Sequence, residues 1–161
     1  MTRAEEIADE IDRALRGEAW HGPSLTDLVE GLTADEAVQR PIASAHNIWE
    51  LVLHITSWSN IALRRLVGGQ VDPYEGEDWP IPGEISADNW FAIKTEMAES
   101  HERLREIVVA LSDARLSSPV PHSRGSVAMM LHGVAQHAAY HGGQIALLKK
   151  AVSIYHRRTA L

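Results

Sequence analysis

The chain has 161 residues, with 15 basic and 22 acidic side chains and a formal net charge of −7. This length is enough for one domain with a hydrophobic core. The 45% share of apolar residues excludes intrinsic disorder, and the negative charge disfavours nucleic acid as a partner. Because the sequence has no cysteine, disulfides, a protein thiolate nucleophile, zinc ribbons and iron–sulfur clusters are excluded.

The first thirty residues contain acids throughout and no apolar run, so they do not resemble a signal peptide. No stretch approaches the roughly 18 apolar residues that a membrane span needs. These features predict a cytoplasmic protein that does not bind membranes. Apolar residues recur every three to four positions along most of the chain, which predicts helices and no strands.

The first helix is predicted over Arg3–Arg16, with a glycine directly after it as the stop. Thr33 and Glu36 form a capping-box pattern that predicts the start of a short helix. The second long helix is expected from Ser44 to the glycine pair 68–69, and it is apolar nearly all round. Such a helix lies centrally in a bundle or against a second subunit. Because its apolar surface is larger than one core should cover, it predicts a homodimer.

Residues 68–87 carry three prolines, four glycines and five acids, which predicts a long loop. The third helix is expected over 88–111 and the fourth over 126–152, followed by a basic tail at 156–158. Four long helices in a single domain over residues 1–161 predict an all-α four-helix bundle. The loop of about twenty residues is long enough to cross the bundle and leave the second and third helices parallel.

The clearest candidate site is the pair His137 and His141 on the fourth helix. Residues four apart share one helix face, and this face also carries Met130, Val134 and Leu148. Two imidazoles in an apolar core need polar partners, and a shared metal ion provides one. The same spacing also arises by chance in a chain with nine histidines, so metal ligands and ordinary core histidines both stay open.

Other polar residues are candidates to complete this site. Gln144 lies on the same face of the fourth helix and is predicted to orient a ligand or a bound water. His54, in the apolar second helix, is the best candidate for a third ligand, although a lone histidine there is more often a hydrogen-bonded core residue. Glu50, one turn earlier, is the candidate catalytic base, with a solvated carboxylate as the alternative. Trp79 is predicted to pin the long loop rather than to cover a substrate.

The remaining histidines are predicted to lie outside the site. His46 comes just before the second helix, where it lines a pocket mouth or faces water. His132 falls on the side of the fourth helix opposite His137, as a packing or interface residue. The others are predicted at the surface: His21, His101, His122 and His156.

Several segments occur in an order that resembles the DinB/YfiT-like superfamily of metalloenzymes. The resemblance covers about residues 40–151, and its last segment is the most specific: 46–55 (HNIWELVLHI), 78–80 (DWP), Trp90, 131–137 (LHGVAQH) and 140–149 (YHGGQIALLK). It implies a four-helix bundle with up-down-down-up topology. It also implies a divalent metal ion bound by His54, His137 and His141, for which we expect zinc or nickel.

Three neutral imidazoles leave one coordination position for water or substrate, which is the layout of a catalytic site. Members of the superfamily include S-transferases and isomerases that depend on bacillithiol or mycothiol. The resemblance therefore implies activation of a low-molecular-weight thiol for transfer to an electrophilic small-molecule substrate. Two alternatives stay open, a metal-dependent hydrolase and a non-catalytic, stress-related metal-binding dimer.

Overall fold

The computed structural model describes residues 1–69, 72–121 and 125–159, with side chains described as far as Ser153. Within these ranges the chain has no strand and only two isolated bridges, so the all-α prediction is confirmed. No helix in the described part of the chain is long and apolar enough to cross a membrane. The helices are α1 (Arg3–Arg16), α2 (Leu25–Val29), α3 (Ala34–Ala37), α4 (Ile48–Leu66), α5 (Ala87–Val109), α6 (Asp113–Ser117) and α7 (Val127–Thr159).

Short-range hydrogen bonds decide where these helices begin. Helix α1 has the predicted bounds, and the predicted capping box of Thr33 and Glu36 opens α3. Helix α4 begins at Ile48, later than predicted, because Asn47 is its cap. The Asn47 side chain accepts the backbone N–H of Glu50, and the Glu50 carboxylate accepts the backbone N–H of Asn47. This reciprocal pair satisfies two backbone donors that would otherwise be left free at the helix start.

The last helix also differs from its prediction. Helix α7 extends to Thr159 rather than ending at Val152, and residues 156–158 belong to its backbone instead of a tail. The extension has a simple cause, since residues 153–159 contain neither the glycine nor the proline that ends a helix. Helix α6 is absent from the prediction, and it is capped by Ser112, which accepts the backbone N–H of Arg115.

The four long helices share one core, because α1 and α4 each pack against both α5 and α7. Their buried side chains form two apolar clusters, one containing Trp49 and Trp90 and the other containing Leu104. Along α7, Ala135 belongs to the second cluster and Ala138 to the first. Along α7, His137 therefore lies where the two clusters meet.

The apolar surface of α4 is largely covered within this one chain. Leu53 and Leu63 pack against the two clusters from partly buried positions. Residues 74–79 of the long loop also lie on α4, through hydrogen bonds described below. A central place in the bundle thus accounts for the composition of α4, and the homodimer stays a prediction.

Candidate metal centre

Three histidines from two helices converge between α4 and α7. The Nε2 atoms of His54 and His137 are 2.9 Å apart. One ring nitrogen from each of His54, His137 and His141 lies within 4.8 Å of the others, and His54 and His141 are only 5% and 6% exposed. The structure therefore brings the three predicted ligands into one group with the spacing of a metal site.

His54 is held in one orientation by the long loop. Its Nδ1 lies 2.5 Å from the backbone carbonyl oxygen of Asp78, so Nδ1 carries the proton and donates it. Nε2 then keeps its lone pair and faces Nε2 of His137. Trp79 stacks between His46 and His54, with ring centroids 3.6 and 3.8 Å away, so it pins the loop to the site as predicted.

His141 is oriented in a similar way by its own helix. Its Nδ1 lies 2.7 Å from Oε1 of Gln144, one turn later on α7. Because an amide oxygen only accepts, Nδ1 of His141 carries the proton and its Nε2 is left as a lone pair. Gln144 thus occupies the position from which it was predicted to orient a ligand.

The imidazoles of His137 and His141 are neutral near pH 7. Burial and the neighbouring rings of His141 and His54 lower the pKa of His137 to about 4. Burial also lowers the pKa of His141, against a smaller opposing effect of its bond to Gln144. The neutral ring is the form that binds metal ions, so no proton has to be displaced from these two groups at pH 7.

The loop that supplies the Asp78 carbonyl is anchored to the outer side of α4. The Ser57 hydroxyl donates to the carbonyl oxygen of Glu77, and the Trp58 indole N–H donates to the Asp78 carboxylate at 2.7 Å. Arg64 donates two hydrogen bonds to the Glu77 carboxylate, at 2.6 and 2.9 Å. These contacts hold the loop against the site without any secondary structure of its own.

Glu50 is occupied by several neighbours at the start of α4. Its carboxylate pairs with Arg40, lies 3.1 Å from Nδ1 of His46 and accepts the backbone N–H of Asn47. Burial by itself would raise the pKa of Glu50, but the hydrogen bonds from Asn47 and His46 and the charge of Arg40 lower it overall. These contacts describe a capping residue, and its role as a catalytic base stays a prediction.

The surface prediction for His101 is wrong. This side chain is 1% exposed; its Nδ1 lies 2.8 Å from the carbonyl oxygen of Met97, and its Nε2 lies 3.3 Å from the Ser59 hydroxyl. The sequence did contain a signal, because Met97, Leu104 and Val108 recur at helical spacing on the same face and all are buried.

The other histidines lie away from the cluster of three. His132 is half-exposed and its Nδ1 lies 2.7 Å from a carboxylate oxygen of Glu10 on α1, in keeping with a packing role. His46 is exposed and stacked on Trp79, and His21 is exposed. His122 and the side chain of His156 lie outside the described residues.

A cavity of about 480 Å³ opens beside the histidines, between α4 and α7. Apolar side chains make up much of its wall, and Arg65 and Asp78 are charged. Arg65 and Trp58 are missing from the predicted site, although His54, Trp58, Ala62 and Arg65 recur at helical spacing. The lining comprises His54, Trp58, Ala62, Arg65, Asp78, Met130, Gly133, Val134 and His137.

The chain matches the model of a known protein family. The family model described as the DinB superfamily matches residues 19–145, which is more than half of the chain and includes all three clustered histidines. No curated protein and no solved structure matches the chain.

Proposed function

We propose that this chain, which belongs to the DinB superfamily, is an enzyme that uses one divalent metal ion to activate a low-molecular-weight thiol for transfer to an electrophile. Zinc and nickel are the proposed ions. The observation that carries the proposal is the convergence of His54, His137 and His141 beside a cavity of about 480 Å³. Cavities of this size with mainly apolar walls and a few polar groups are typical of small-molecule sites.

The donor set fits such an ion. Nδ1 of His54 and Nδ1 of His141 have acceptors within the chain, so the lone pairs of their Nε2 atoms point away from those acceptors. Buried lone pairs that face one another are costly unless they share a cation. Imidazole nitrogens suit zinc and nickel, and three protein ligands leave the open position typical of catalytic sites.

A divalent ion supplies one piece of chemistry, which is to lower the pKa of a coordinated thiol towards neutrality. The substrate sulfur then forms the new bond to the electrophilic carbon, and the leaving group departs with the bonding electrons. The thiol proton passes to a base, for which Glu50, in contact with His46, stays the predicted residue. The Asp78 carbonyl and Gln144 keep the rings of His54 and His141 oriented throughout.

The proposal includes an up-down-down-up arrangement of α1, α4, α5 and α7. Two contacts support parallel α4 and α5. Trp49, at the start of α4, stacks on Trp90, at the start of α5, with ring centroids 5.1 Å apart. Further along both helices, Ser59 contacts His101 at 3.3 Å. A link that returns along the bundle between these helices then explains why it is about twenty residues long.

The first experiment is elemental mass spectrometry on purified protein. We expect about one zinc or nickel ion per chain in the wild type and in His132→Ala, which removes a histidine from the same helix but outside the cluster. His137→Ala should lose the ion. Equal metal contents in the two variants, or none in the wild type after reconstitution, would overturn the metal site.

A second experiment separates the thiol reaction from its alternatives. The metal-loaded wild type is incubated with an aryl halide or an ester, each with and without free cysteine as the thiol. Thiol-dependent loss of the halide supports the proposal, whereas ester cleavage without thiol favours a hydrolase. Circular dichroism of His54→Ala tests a purely structural ion, since loss of helix together with loss of metal would favour that role.

A further inference from the structure

The cavity beside the histidines is a groove between α4 and α7. His54 and His137, whose Nε2 atoms are 2.9 Å apart, form one end of it. The side chains beyond them are apolar and follow one another at helical spacing on each wall: Trp58 and Ala62 on α4, Met130 and Val134 on α7. A molecule whose reacting atom lies at the histidines therefore places the rest of its body against hydrocarbon, an indole ring and a thioether.

The charged side chains of this groove already have partners within the chain. Among the described residues that line it, Arg65 and Asp78 carry a charge. The Asp78 carboxylate accepts the indole N–H of Trp58 at 2.7 Å. The Arg65 guanidinium lies over the same indole, with its carbon 5.7 Å from the ring centroid, and the charges of Asp72 and Glu77 act on it. The groove thus presents one partnered cation and one partnered anion, both against one indole ring.

This arrangement gives no advantage to an ion. A charge of either sign on a bound molecule is attracted by one of the two groups and repelled by the other, so their effects offset each other. The bound ion nevertheless loses water against the apolar walls, and a charge without a partner of its own is costly there. An uncharged molecule avoids this cost and still gains from removing its apolar surface from water.

Gly133 widens the groove on the α7 side. It lines the wall, and a Cβ added to it would meet no atom within 4 Å. Gly142 on the same helix is different, because a Cβ there would lie 3.4 Å from the Leu28 side chain, so that glycine allows close packing. Within the described part of the chain, no packing contact requires a glycine at Gly133. The space that Gly133 leaves is therefore available to a bound molecule.

We propose that the groove holds the electrophilic substrate by an uncharged body that contains an aromatic ring, and that Gly133 sets the width of the body that fits. The proposal rests on the proposed function for the reacting atom at the histidines, and on the groove alone for the choice of body. A ring is favoured over a simple alkyl chain because Trp58 and Met130 line the walls. Indole rings and thioether sulfurs both make favourable contacts with aromatic rings.

The first test compares three probes that share one body and differ in charge: 4-phenylbutanol, 4-phenylbutanoate and 4-phenylbutylammonium. Calorimetric titration uses the metal-free full chain, so that no metal ion draws a charged probe to the histidines. We expect a Kd about tenfold lower for the alcohol than for either ion. Val134→Lys adds a cation to the half-buried wall and should turn the preference towards 4-phenylbutanoate. Gln136→Lys adds the same charge at an exposed position outside the groove and should keep the preference for the alcohol.

The second test concerns width and compares 4-phenylbutanol with the slimmer hexanol. Gly133→Leu should raise the Kd of 4-phenylbutanol about tenfold or more and that of hexanol by less, because the new side chain narrows the groove. A general loss of structure would not change the ratio of the two Kd values in this way. Gly143→Leu is the matched control on the same helix, since its Cβ is equally unobstructed but its position is exposed and outside the groove.

Equal or tighter binding of either ion than of the alcohol by the wild type would overturn the uncharged body. Hexanol binding as tightly as 4-phenylbutanol would overturn the ring. An unchanged preference in Val134→Lys, or an unchanged Kd in Gly133→Leu, would show that the body lies elsewhere.

The zinc content of the same wild-type preparation after reconstitution separates this proposal from the proposed function. A preference for the alcohol in a protein that binds no zinc supports the groove and contradicts the metal chemistry. Bound zinc without that preference contradicts the groove alone.

Discussion

Two buried histidine environments lie close together in this bundle and differ in what their ring nitrogens contact. His101 lies 2.8 Å from the Met97 carbonyl and 3.3 Å from the Ser59 hydroxyl, so both of its ring nitrogens have partners within the protein. His54, His137 and His141 instead direct ring nitrogens at one another. Burial alone therefore does not distinguish a structural histidine from a metal ligand. The distinction lies in the partner of each ring nitrogen, which is a carbonyl or hydroxyl group for His101 and another imidazole for Nε2 of His54.

The largest expected difference between the two environments is the response to metal. Zinc at about 1,000 times its Kd should raise the free energy of unfolding of the metal-free protein by about 4 kcal/mol, because it binds only the folded state. His101→Gln should gain as much as the wild type, and His137→Ala should gain nothing. Chemical denaturation with and without zinc measures the gain in stability. Equal gains in all three proteins would contradict the assignment of His137, and not His101, as a metal ligand.

Truncation of His101 should have the opposite effect, a loss of stability with no loss of metal. His101→Ala removes a fully buried ring and two hydrogen bonds, so we expect the free energy of unfolding to fall by about 3 kcal/mol. The zinc content per folded chain should be unchanged. His21→Ala, at an exposed position, is the control and should shift stability by less than about 0.5 kcal/mol. A loss of zinc in His101→Ala would show that the two environments act as one unit.

A smaller effect is expected from Gln144, which contacts the ring of His141. Gln144→Leu should weaken zinc binding about 10- to 100-fold, because the ring loses the acceptor that fixes its orientation. Competition with a chelator of known affinity measures this change. Gln136→Leu, exposed on the same helix, should bind zinc like the wild type. An unchanged affinity in Gln144→Leu would mean that the helix alone orients His141.

The smallest expected effect is a dependence of stability on pH in the metal-free protein. Burial lowers the pKa of His101, so below the ordinary value of about 6.5 the unfolded state binds more protons than the folded state. The contribution of neutral, buried His101 to the free energy of unfolding is therefore fully present above pH 6.5. It is lost progressively as the pH decreases from 7 to 5. His101→Gln, which does not titrate, should lose less stability over this range than the wild type. Equal slopes in urea denaturation would contradict this assignment.

Patterns within a few residues predicted much of the fold and two of the three clustered histidines. The bounds of α1 and the capping box of Thr33 and Glu36 follow from hydrogen bonds and spacings that span one helical turn. His137 and His141 share a face for the same reason. His54 entered the prediction through its place in an apolar helix and through a family resemblance, since no local spacing connects it to α7.

The sequence by itself determined the helical class, the pairing of His137 with His141 on one face, and the lack of any protein thiol. Only the tertiary structure decided that the Asp78 carbonyl fixes His54, that Ser59 of α4 contacts His101 and that Arg65 shares a groove with the histidines. The physical reason is one of range. Caps and helix faces depend on neighbours within one or two helical turns, whereas these contacts depend on how distant segments of the chain pack. The backbone carbonyl of Asp78 is an extreme case, because every residue has such a group and the sequence does not show where it lies.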